Sequence, residues 1–452
     1  MNSKSNAQAM ETEKIPRLLA QLAIPAVVAQ IINLLYNIVD RIYIGHIPGV
    51  GAAALTGVGL FTPILMLINA FAMLAGSGGA PRAAISMGKK DNKTAEKILG
   101  NCFAILMLMA AALTVIFFTF APQLLTMFGA SDKTLPYGVD YARIYILGSI
   151  FVLIVMGMNP FITTQGFAKI SMMTTVIGAV INIILDPIFI FVFHLGVKGA
   201  ALATVLSQAV GAIWILRFLS GKKTILHLKK ENFRFSLPAC GKLMALGVPM
   251  ALQFSITAIG TIIVQGAVNV YGEDYMAGFS AAAKIQNVIC TVFVAFGATI
   301  ATYVGQNWGA GKVDRVRQGV RCTQIMILAY SVIAMILVFF FSKYLTYLFI
   351  SPSETKVIEV SVLYFRTVFW CYPFLGSIFL YRNTLQGLGY GLVPMLGGVF
   401  ELAARSAIVV LVAGKTSFAG VCLSDPAAWI SALIPLIPYY IYVTCLLYTS
   451  PS

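Results

Sequence analysis

Charged side chains are scarce in this sequence of 452 residues. Asp, Glu, Lys and Arg together make up 10% of it, whereas 59% of the residues are hydrophobic. Soluble domains carry about 25% charged residues, so a water-soluble fold would have too little polar surface to cover this apolar content. Lipid tails accept apolar side chains, and the composition therefore predicts an all-α integral membrane protein.

Residue patterns typical of enzymes are also missing. The three histidines, His46, His194 and His227, lie far apart in or near loops, and no HExxH, GxSxG or P-loop pattern occurs. We therefore expect no enzymatic activity, no ATP-driven step within this chain, no cofactor and no resident metal. No filter-like loop indicates a channel. The seven cysteines form no CxxC pair, so we interpret them as small hydrophobic residues.

The net charge of +15 does not indicate a nucleic-acid partner. Lys and Arg lie in short loops between apolar runs, which is the pattern of the positive-inside rule. Counted along the chain, the loops that follow even-numbered apolar runs contain more Lys and Arg than the others. Both termini should therefore be cytoplasmic. The polar start has no apolar core, so the first helix should act as an uncleaved insertion signal.

Twelve apolar runs are long enough to cross a bilayer, which takes about 20 mostly apolar residues. We number them spans 1 to 12 in chain order. They cover residues 16–45, 54–80, 98–120, 139–165, 172–193, 199–220, 243–270, 277–305, 322–342, 361–386, 392–413 and 427–447. The predicted organisation is a tail (1–15), an N-terminal lobe (16–220), a basic linker (221–242) and a C-terminal lobe (243–447).

The two halves share landmarks in the same order. Ala-Ile-Pro at 23–25 matches Gly-Val-Pro at 247–249, and Gln165-Gly166 matches Gln386-Gly387. These matches recur at an offset of about 221–224 residues. Internal repeats of membrane helices are typical of secondary transporters. We therefore expect two pseudo-symmetric six-helix lobes.

Polar residues inside an apolar span are costly and usually face a cavity or a partner. Span 1 places Asn33, Tyr36, Asn37 and Asp40 on one helical face. This stripe predicts a polar interior on that side. The alternative is that Asp40, followed directly by Arg41, only marks the end of the helix.

Span 5 carries a second polar face, formed by Asn182 and Asp186 one turn apart. Pro187 follows and favours a local bend. The alternative is an Asp that caps a helix at a loop. Thr204 in span 6, and Tyr141 and Asn159 in span 4, add polar groups to the same half, although each alone is more often a contact between helices.

The second half differs in its intramembrane charges, which we identify as Lys284, Arg382, Glu401 and Arg405. Glu401 and Arg405 are one turn apart in the order that favours an ion pair. The repeat does not duplicate Asp40 and Asp186. We therefore expect acid in the first half and base in the second.

Several of these stretches resemble the multidrug and toxic compound extrusion (MATE) family, over nearly the whole chain. The similar stretches are YNIVDRIYIG (36–45), LTGVG (55–59), NIILDPIF (182–189), GAALAT (199–204), GQNWG (305–309) and ELAAR (401–405). The resemblance implies two six-helix lobes around a central cavity, and export of organic cations and drugs in exchange for H⁺ or Na⁺.

The residues that match the family's N-lobe cation site are Asp40, Asn182, Asp186 and Thr204, with Asn33, Tyr36, Asn37, Tyr141 and Asn159 nearby. One branch of the family places acids in spans 7 and 10, but Gln253 stands in span 7 here and no acid lies near Leu375 in span 10. The resemblance therefore favours cation coupling in the N-terminal lobe, with Gln253, Lys284 and Arg382 as polar groups of the C-terminal lobe.

The alternative function is a related flippase for lipid-linked oligosaccharides or amphipathic lipids, and Lys284 and Arg382 would suit such anions. The expected partners are small organic cations and membrane lipids. We expect a monomer in the cytoplasmic membrane of a bacterium, and we assign no function to residues 446–452.

Overall fold

The computed structural model describes residues 12–233, 237–412 and 418–446, and all regular structure within these ranges is helical. Residues 1–11 of the predicted tail, residues 234–236 of the predicted linker, residues 413–417 and residues 447–452 lie outside these ranges. Eleven helices of this part of the chain are long and apolar enough to cross a membrane, and one further pair forms a bent span. Twelve spans were predicted and twelve are found.

In the first half, span 1 is Ile15–Gly45 and span 3 is Asn92–Met127, while span 6 is Val197–Leu219. The other three are interrupted. Span 2 consists of Gly51–Leu60 and Thr62–Gly88, span 4 of Leu135–Leu147 and Ser149–Thr164, and span 5 of Ala168–Pro187 with a π-turn at Ile188–Val192.

In the second half, spans 7, 8 and 9 are Leu237–Asn269, Glu273–Gly309 and Val313–Thr346. Span 10 consists of Thr355–Val368, a 3₁₀ turn at Phe369–Cys371 and Tyr372–Gly387. Span 11 is Leu392–Val412, and span 12 consists of Phe418–Cys422, Ser424–Ile441 and a π-turn at Tyr442–Leu446.

Span 4 is the clearest departure from a predicted straight helix, because it bends by 55° at Gly148. A Cβ at this position would lie 2.4 Å from the side chain of Val205 in span 6. The bend therefore occurs where the bare backbone of Gly148 packs directly on a neighbouring helix. Span 10 is broken at the equivalent place of the second half, at Phe369–Cys371.

The chain forms two compact units. The first contains Ile24–Gly247, and the second contains Lys14–Ala23 and the chain from Val248 onwards. Within the first unit span 2 packs on spans 3 and 4, and span 6 on spans 4 and 5. Within the second unit span 8 packs on spans 9 and 10, and span 12 on spans 10 and 11. Equivalent helices thus make equivalent contacts, as a repeat requires.

The predicted basic linker is anchored on the first unit by buried polar contacts. Gln165 Oε1 accepts from Thr224 Oγ1 at 2.8 Å and from the backbone nitrogens of Ile225 and Leu226 at 2.7 and 2.9 Å. Glu96 accepts from the backbone nitrogen of His227 at 3.0 Å and pairs with Lys229 at 2.9 Å. The side chain of Leu226 is fully buried.

Candidate cation-binding site in the first unit

Two carboxylates from distant parts of the sequence meet inside the first unit. The side chains of Asp40 in span 1 and Asp186 in span 5 are within hydrogen-bonding reach of each other. Asp186 is 0% exposed. Among the described residues, no Lys, Arg or His forms an ion pair with either carboxylate. Two buried like charges at this distance need a proton or a cation between them.

Span 5 holds Asp186 in place through a residue one turn earlier. Asn182 Nδ2 donates to Asp186 Oδ1 at 3.3 Å, and it lies 3.4 Å from Thr204 Oγ1 in span 6. Both Asn182 and Thr204 are buried. The helical spacing of 182 and 186 puts both side chains on the face that span 6 covers. The predicted group of Asp40, Asn182, Asp186 and Thr204 is therefore assembled in space.

Two tyrosines complete the surroundings of the carboxylates. Tyr36 lies near both Asp40 and Asp186. Tyr141 lies near Thr204 and Asp40. The ring of Phe61 packs against Tyr141 with a centroid distance of 5.6 Å, which fixes that ring within the helix packing.

Three buried oxygens of this cluster have no hydrogen-bond partner. They are Asp40 Oδ1, Asn182 Oδ1 and Asp186 Oδ2. Buried polar atoms are nearly always paired in folded proteins, and an unpaired one points to a missing ion or water. Hard cations take carboxylate, amide and hydroxyl oxygens as ligands. The donor set therefore suits a hard cation.

The backbone around Asp186 is fixed by a close contact between spans 5 and 6. The helix gives way to a π-turn after Pro187. A Cβ at Gly199 would lie 2.7 Å from the backbone carbonyl carbon of Phe189 in that turn. Only glycine allows span 6 to approach this closely, and the approach sets the position of Thr204 one and a half turns later.

The other predicted polar residues of the first unit have hydrogen-bond partners outside the carboxylate pair. Asn37 is exposed and donates to the backbone and side-chain oxygens of Asn33, at 2.7 and 3.2 Å. Asn159 lies 3.4 Å from the backbone oxygen of Ser171. Ser171 is eleven residues before Asn182, roughly 16 Å along the helix, so Asn159 marks a contact between spans 4 and 5 at a distance from the carboxylates.

In the second unit, Gln253 and Arg382 contact each other. With its amide oxygen facing the guanidinium, Gln253 accepts from Arg382 Nε at 2.9 Å and from Nη1 at 2.8 Å. Arg382 also forms an ion pair with Glu401. Lys284 is exposed and lies 5.5 Å from the centre of the Phe349 ring, in a cation–π contact.

The predicted division into an acidic first half and a basic second half is wrong for the interior of the second unit. Glu401 and Arg405 form the expected ion pair at 3.6 Å, and Arg405 Nε also lies 3.3 Å from Asp425. Asp425 was missed because Ser424-Asp425-Pro426 has the appearance of a helix start just before predicted span 12. The structure surrounds it with span 10 and span 11 side chains, among them Tyr364, whose hydroxyl donates to it at 2.8 Å.

Comparison with known proteins identifies the family. The MatE family model matches residues 25–188 and again residues 249–411, once in each half. The chain belongs to the MATE family of membrane transporters. The double match also agrees with the internal repeat. The first segment includes Asp40 and Asp186, and the second includes Arg382 and Glu401.

Among curated MATE relatives, the chain is 25% identical to the probable multidrug resistance protein YoeA of Bacillus subtilis, with 94% of each chain covered. It is 24% identical to the FAD transporter of Shewanella oneidensis, with 82% of each covered. The multidrug export protein MepA of Staphylococcus haemolyticus is 23% identical over 84% of this chain and 83% of that one.

Solved MATE structures share the fold. An outward-facing multidrug resistance MATE family transporter superposes with a TM-score of 0.91 at 20% identity, covering 99% of each chain. A transporter of the same superfamily from Pyrococcus furiosus, described as having a binding pocket of reverse polarity, gives a TM-score of 0.90 at 21% identity, covering 98% of each.

Proposed function

We propose that this MATE transporter exports organic cations and drugs in exchange for H⁺ or Na⁺, and that the exchanged ion binds at Asp40 and Asp186. The observation that carries the proposal is the buried pair of carboxylates with unpaired oxygens and no ion-pair partner among the described residues. The names of the curated relatives support the class of cargo, since most of them describe drug export.

The coupling follows from the electrostatics of the pair. Without a cation, two carboxylates repel each other in a medium of low dielectric constant. A proton or a sodium ion removes this repulsion and draws span 1 towards span 5. Drug binding favours the charged state of the pair. Each ligand then stabilises the state that the other disfavours, and exchange is the thermodynamic result.

The contacts of the second unit weaken the case for the alternative, a flippase for anionic lipids. Arg382 is neutralised by Glu401, and Lys284 lies on an aromatic ring. One curated relative is named as an FAD transporter, so an anionic cargo is included in the test.

The test is transport in proteoliposomes. A pH gradient and a Na⁺ gradient are imposed separately, and movement of an ethidium-like cation is followed by fluorescence, with FAD and a lipid-linked sugar as competing cargo. We expect one of the two gradients to drive movement of the cation. We expect Asp40→Asn and Asp186→Asn to abolish this movement. Asp132→Asn is the matched control, because Asp132 is an exposed loop carboxylate. Full gradient-driven transport by Asp40→Asn would refute the proposed coupling, and transport of FAD alone would refute the cargo.

A further inference from the structure

A second group of buried charges lies wholly within the second unit. Arg382 in span 10, Glu401 and Arg405 in span 11 and Asp425 in span 12 have side chains that are 10%, 5%, 6% and 15% exposed. Burying an ion inside a membrane protein is costly unless other groups compensate its charge. Four such residues in contact therefore need a physical account.

The contacts form a chain of alternating charge. Arg382 pairs with Glu401, which lies 3.6 Å from Arg405, which in turn lies 3.3 Å from Asp425. Gln253 accepts two hydrogen bonds from Arg382 at the other end. Two carboxylates thus face two guanidinium groups, and the group is neutral as a whole.

The comparison with the first unit is direct. There, Asp40 and Asp186 lie close together, and no Lys, Arg or His among the described residues forms an ion pair with either of them. Here, Glu401 and Asp425 are the two carboxylates of the network, and two arginines supply the positive charge from within the chain. A site that already contains its counter-charges has no electrostatic reason to recruit another ion.

The two arginines have different places in this network. Arg405 contacts both carboxylates. It also packs against Gly260 of span 7, because a Cβ added to Gly260 would lie 3.1 Å from Arg405 Nη1. Arg382 contacts Glu401 alone among the two carboxylates. Removing Arg382 leaves one guanidinium for two carboxylates, an excess of one negative charge centred on Glu401.

We propose that the guanidinium of Arg382 serves as a built-in cation that occupies the carboxylate site of the second unit, so that this unit binds no exchangeable H⁺ or Na⁺. The inference rests on the proposed function for the location of the exchanged ion in the first unit. It identifies Arg382 as the residue that restricts ion exchange to one unit of the repeat.

Other titratable groups face this network from the helices around it. They lie near Asp425 and are Tyr364, Tyr372, Cys290 and Cys422. All four are uncharged when protonated, so they do not supply a positive charge in place of Arg382. Lys284 of span 8 contacts Phe349 instead. The counter-charge of Glu401 therefore comes from Arg382 and Arg405.

A merely structural network makes a different prediction. If the four charges only hold spans 10, 11 and 12 together, replacing Arg382 by Met destabilises the protein and changes nothing else. If Arg382 stands in for an ion, the same replacement creates a new binding site for one monovalent cation. The gain of binding separates the two accounts.

The experiment uses the full chain with the site of the first unit removed by Asp40→Asn and Asp186→Asn. In this background, Na⁺ binding is measured by calorimetry, proton release on Na⁺ addition is measured in weak buffer, and the melting temperature is followed with rising Na⁺. We expect no cation binding in the background itself and one cation per chain, as Na⁺ or as a titrating proton, after Arg382→Met. Arg382→Lys keeps the charge and should gain nothing.

The double change Arg382→Met with Glu401→Gln is the matched control, because it restores neutrality. It should fold and bind no cation. If Arg382→Met folds only at high Na⁺ or low pH, the rescue supports the proposal. Cation binding by the second unit with Arg382 intact overturns it, and so does an Arg382→Met protein that gains no ion or is not rescued by one. Because the first-unit carboxylates are absent throughout, failure here is distinct from failure of dye transport by the native chain.

Discussion

Asn182 donates a hydrogen bond to Asp186 one helical turn later, at 3.3 Å. The same amide lies 3.4 Å from Thr204, so a single side chain connects the buried carboxylate to the next helix. Its own oxygen has no partner. Asn182 therefore orients Asp186, and its free oxygen is a ligand for the cation that we propose to bind there.

Replacing Asn182 by Ala should weaken binding of the coupling ion while leaving both carboxylates in place. Groups that orient a ligand typically contribute about 10–100-fold to ion affinity. We expect the half-saturating Na⁺ or H⁺ concentration for dye transport to rise by about that factor. Asn101→Ala is the control, since Asn101 donates to the backbone of its own helix at Lys97. An unchanged half-saturating concentration would mean that Asn182 does not contribute to the ion site.

Gly199→Ala should disturb the ion site through the backbone. The new Cβ would lie 2.7 Å from the carbonyl carbon of Phe189, and span 6 would have to move away from the turn after Asp186. Overpacking of this kind costs about 1–3 kcal/mol, so we expect a lower melting temperature and weaker ion coupling. Gly59→Ala is the control, because no atom lies within 4 Å of its added Cβ. Equal melting temperatures for the two variants would contradict the close approach.

Gln165→Leu should release the linker from the first unit. The change leaves the backbone nitrogens of Ile225 and Leu226 without their acceptor, whereas Thr224 Oγ1 keeps the backbone oxygen of Leu226 at 3.0 Å. Each buried donor left unpaired costs about 1–3 kcal/mol. We expect faster trypsin cleavage at the exposed Lys222 and Lys223, measured by limited proteolysis of the purified protein.

The matched control for this change is Gln123→Leu, the same replacement at an exposed position of span 3. It should be cleaved at the rate of the unchanged protein. Identical cleavage of Gln165→Leu and the control would show that these hydrogen bonds do not hold the linker.

The contact between Lys229 and Glu96 predicts that the stability of the folded protein changes with pH in the alkaline range. Glu96 raises the pKa of Lys229 above its ordinary value of 10.5. A raised pKa in the folded state means that the contact stabilises the linker below pH 10.5 and that this contribution is lost as the pH rises through the raised pKa. The effect should be small, because the lysine is exposed.

Melting temperatures between pH 8 and 12 test this expectation. The difference between the unchanged protein and Lys229→Met should be constant on the neutral side and vanish on the alkaline side. Lys223→Met, at an exposed lysine of the same linker, should show no such pattern. A difference that grows with pH would contradict the assigned direction.

Much of the fold follows from local properties of the chain. Twelve apolar runs of sufficient length predict twelve spans, because a bilayer demands continuous helices. The break at Gly148 was not predictable, since it depends on Val205, a residue more than fifty positions away. The anchoring of the linker was not predictable either. In the sequence, Gln165 is an ordinary residue at the end of a helix, and only the structure shows its contacts with residues 224–226.

The candidate sites divide in the same way. Helical spacing alone put Asn182 and Asp186 on one face and Asp40 on the polar face of span 1. The resemblance grouped these residues with Thr204 as one cation site. The sequence did not reveal that Asn159 lies far from this cluster or that Asp425 belongs to a buried network with Arg405. Periodicity places side chains on a helix, whereas only the packing of helices decides which faces meet.

The sequence by itself determined that the chain is a membrane protein with a two-fold repeat, because composition and hydropathy are properties of the chain and a bilayer leaves few ways to satisfy them. It also identified the residues that place charge inside the membrane, with the exception of Asp425. The tertiary structure decided which of those charges are compensated. Arg382 neutralises Glu401, while Asp40 and Asp186 lie close together and neither forms an ion pair within the described part of the chain. The physical reason is that a Coulomb interaction depends on distance in space, and that distance is set by helix packing.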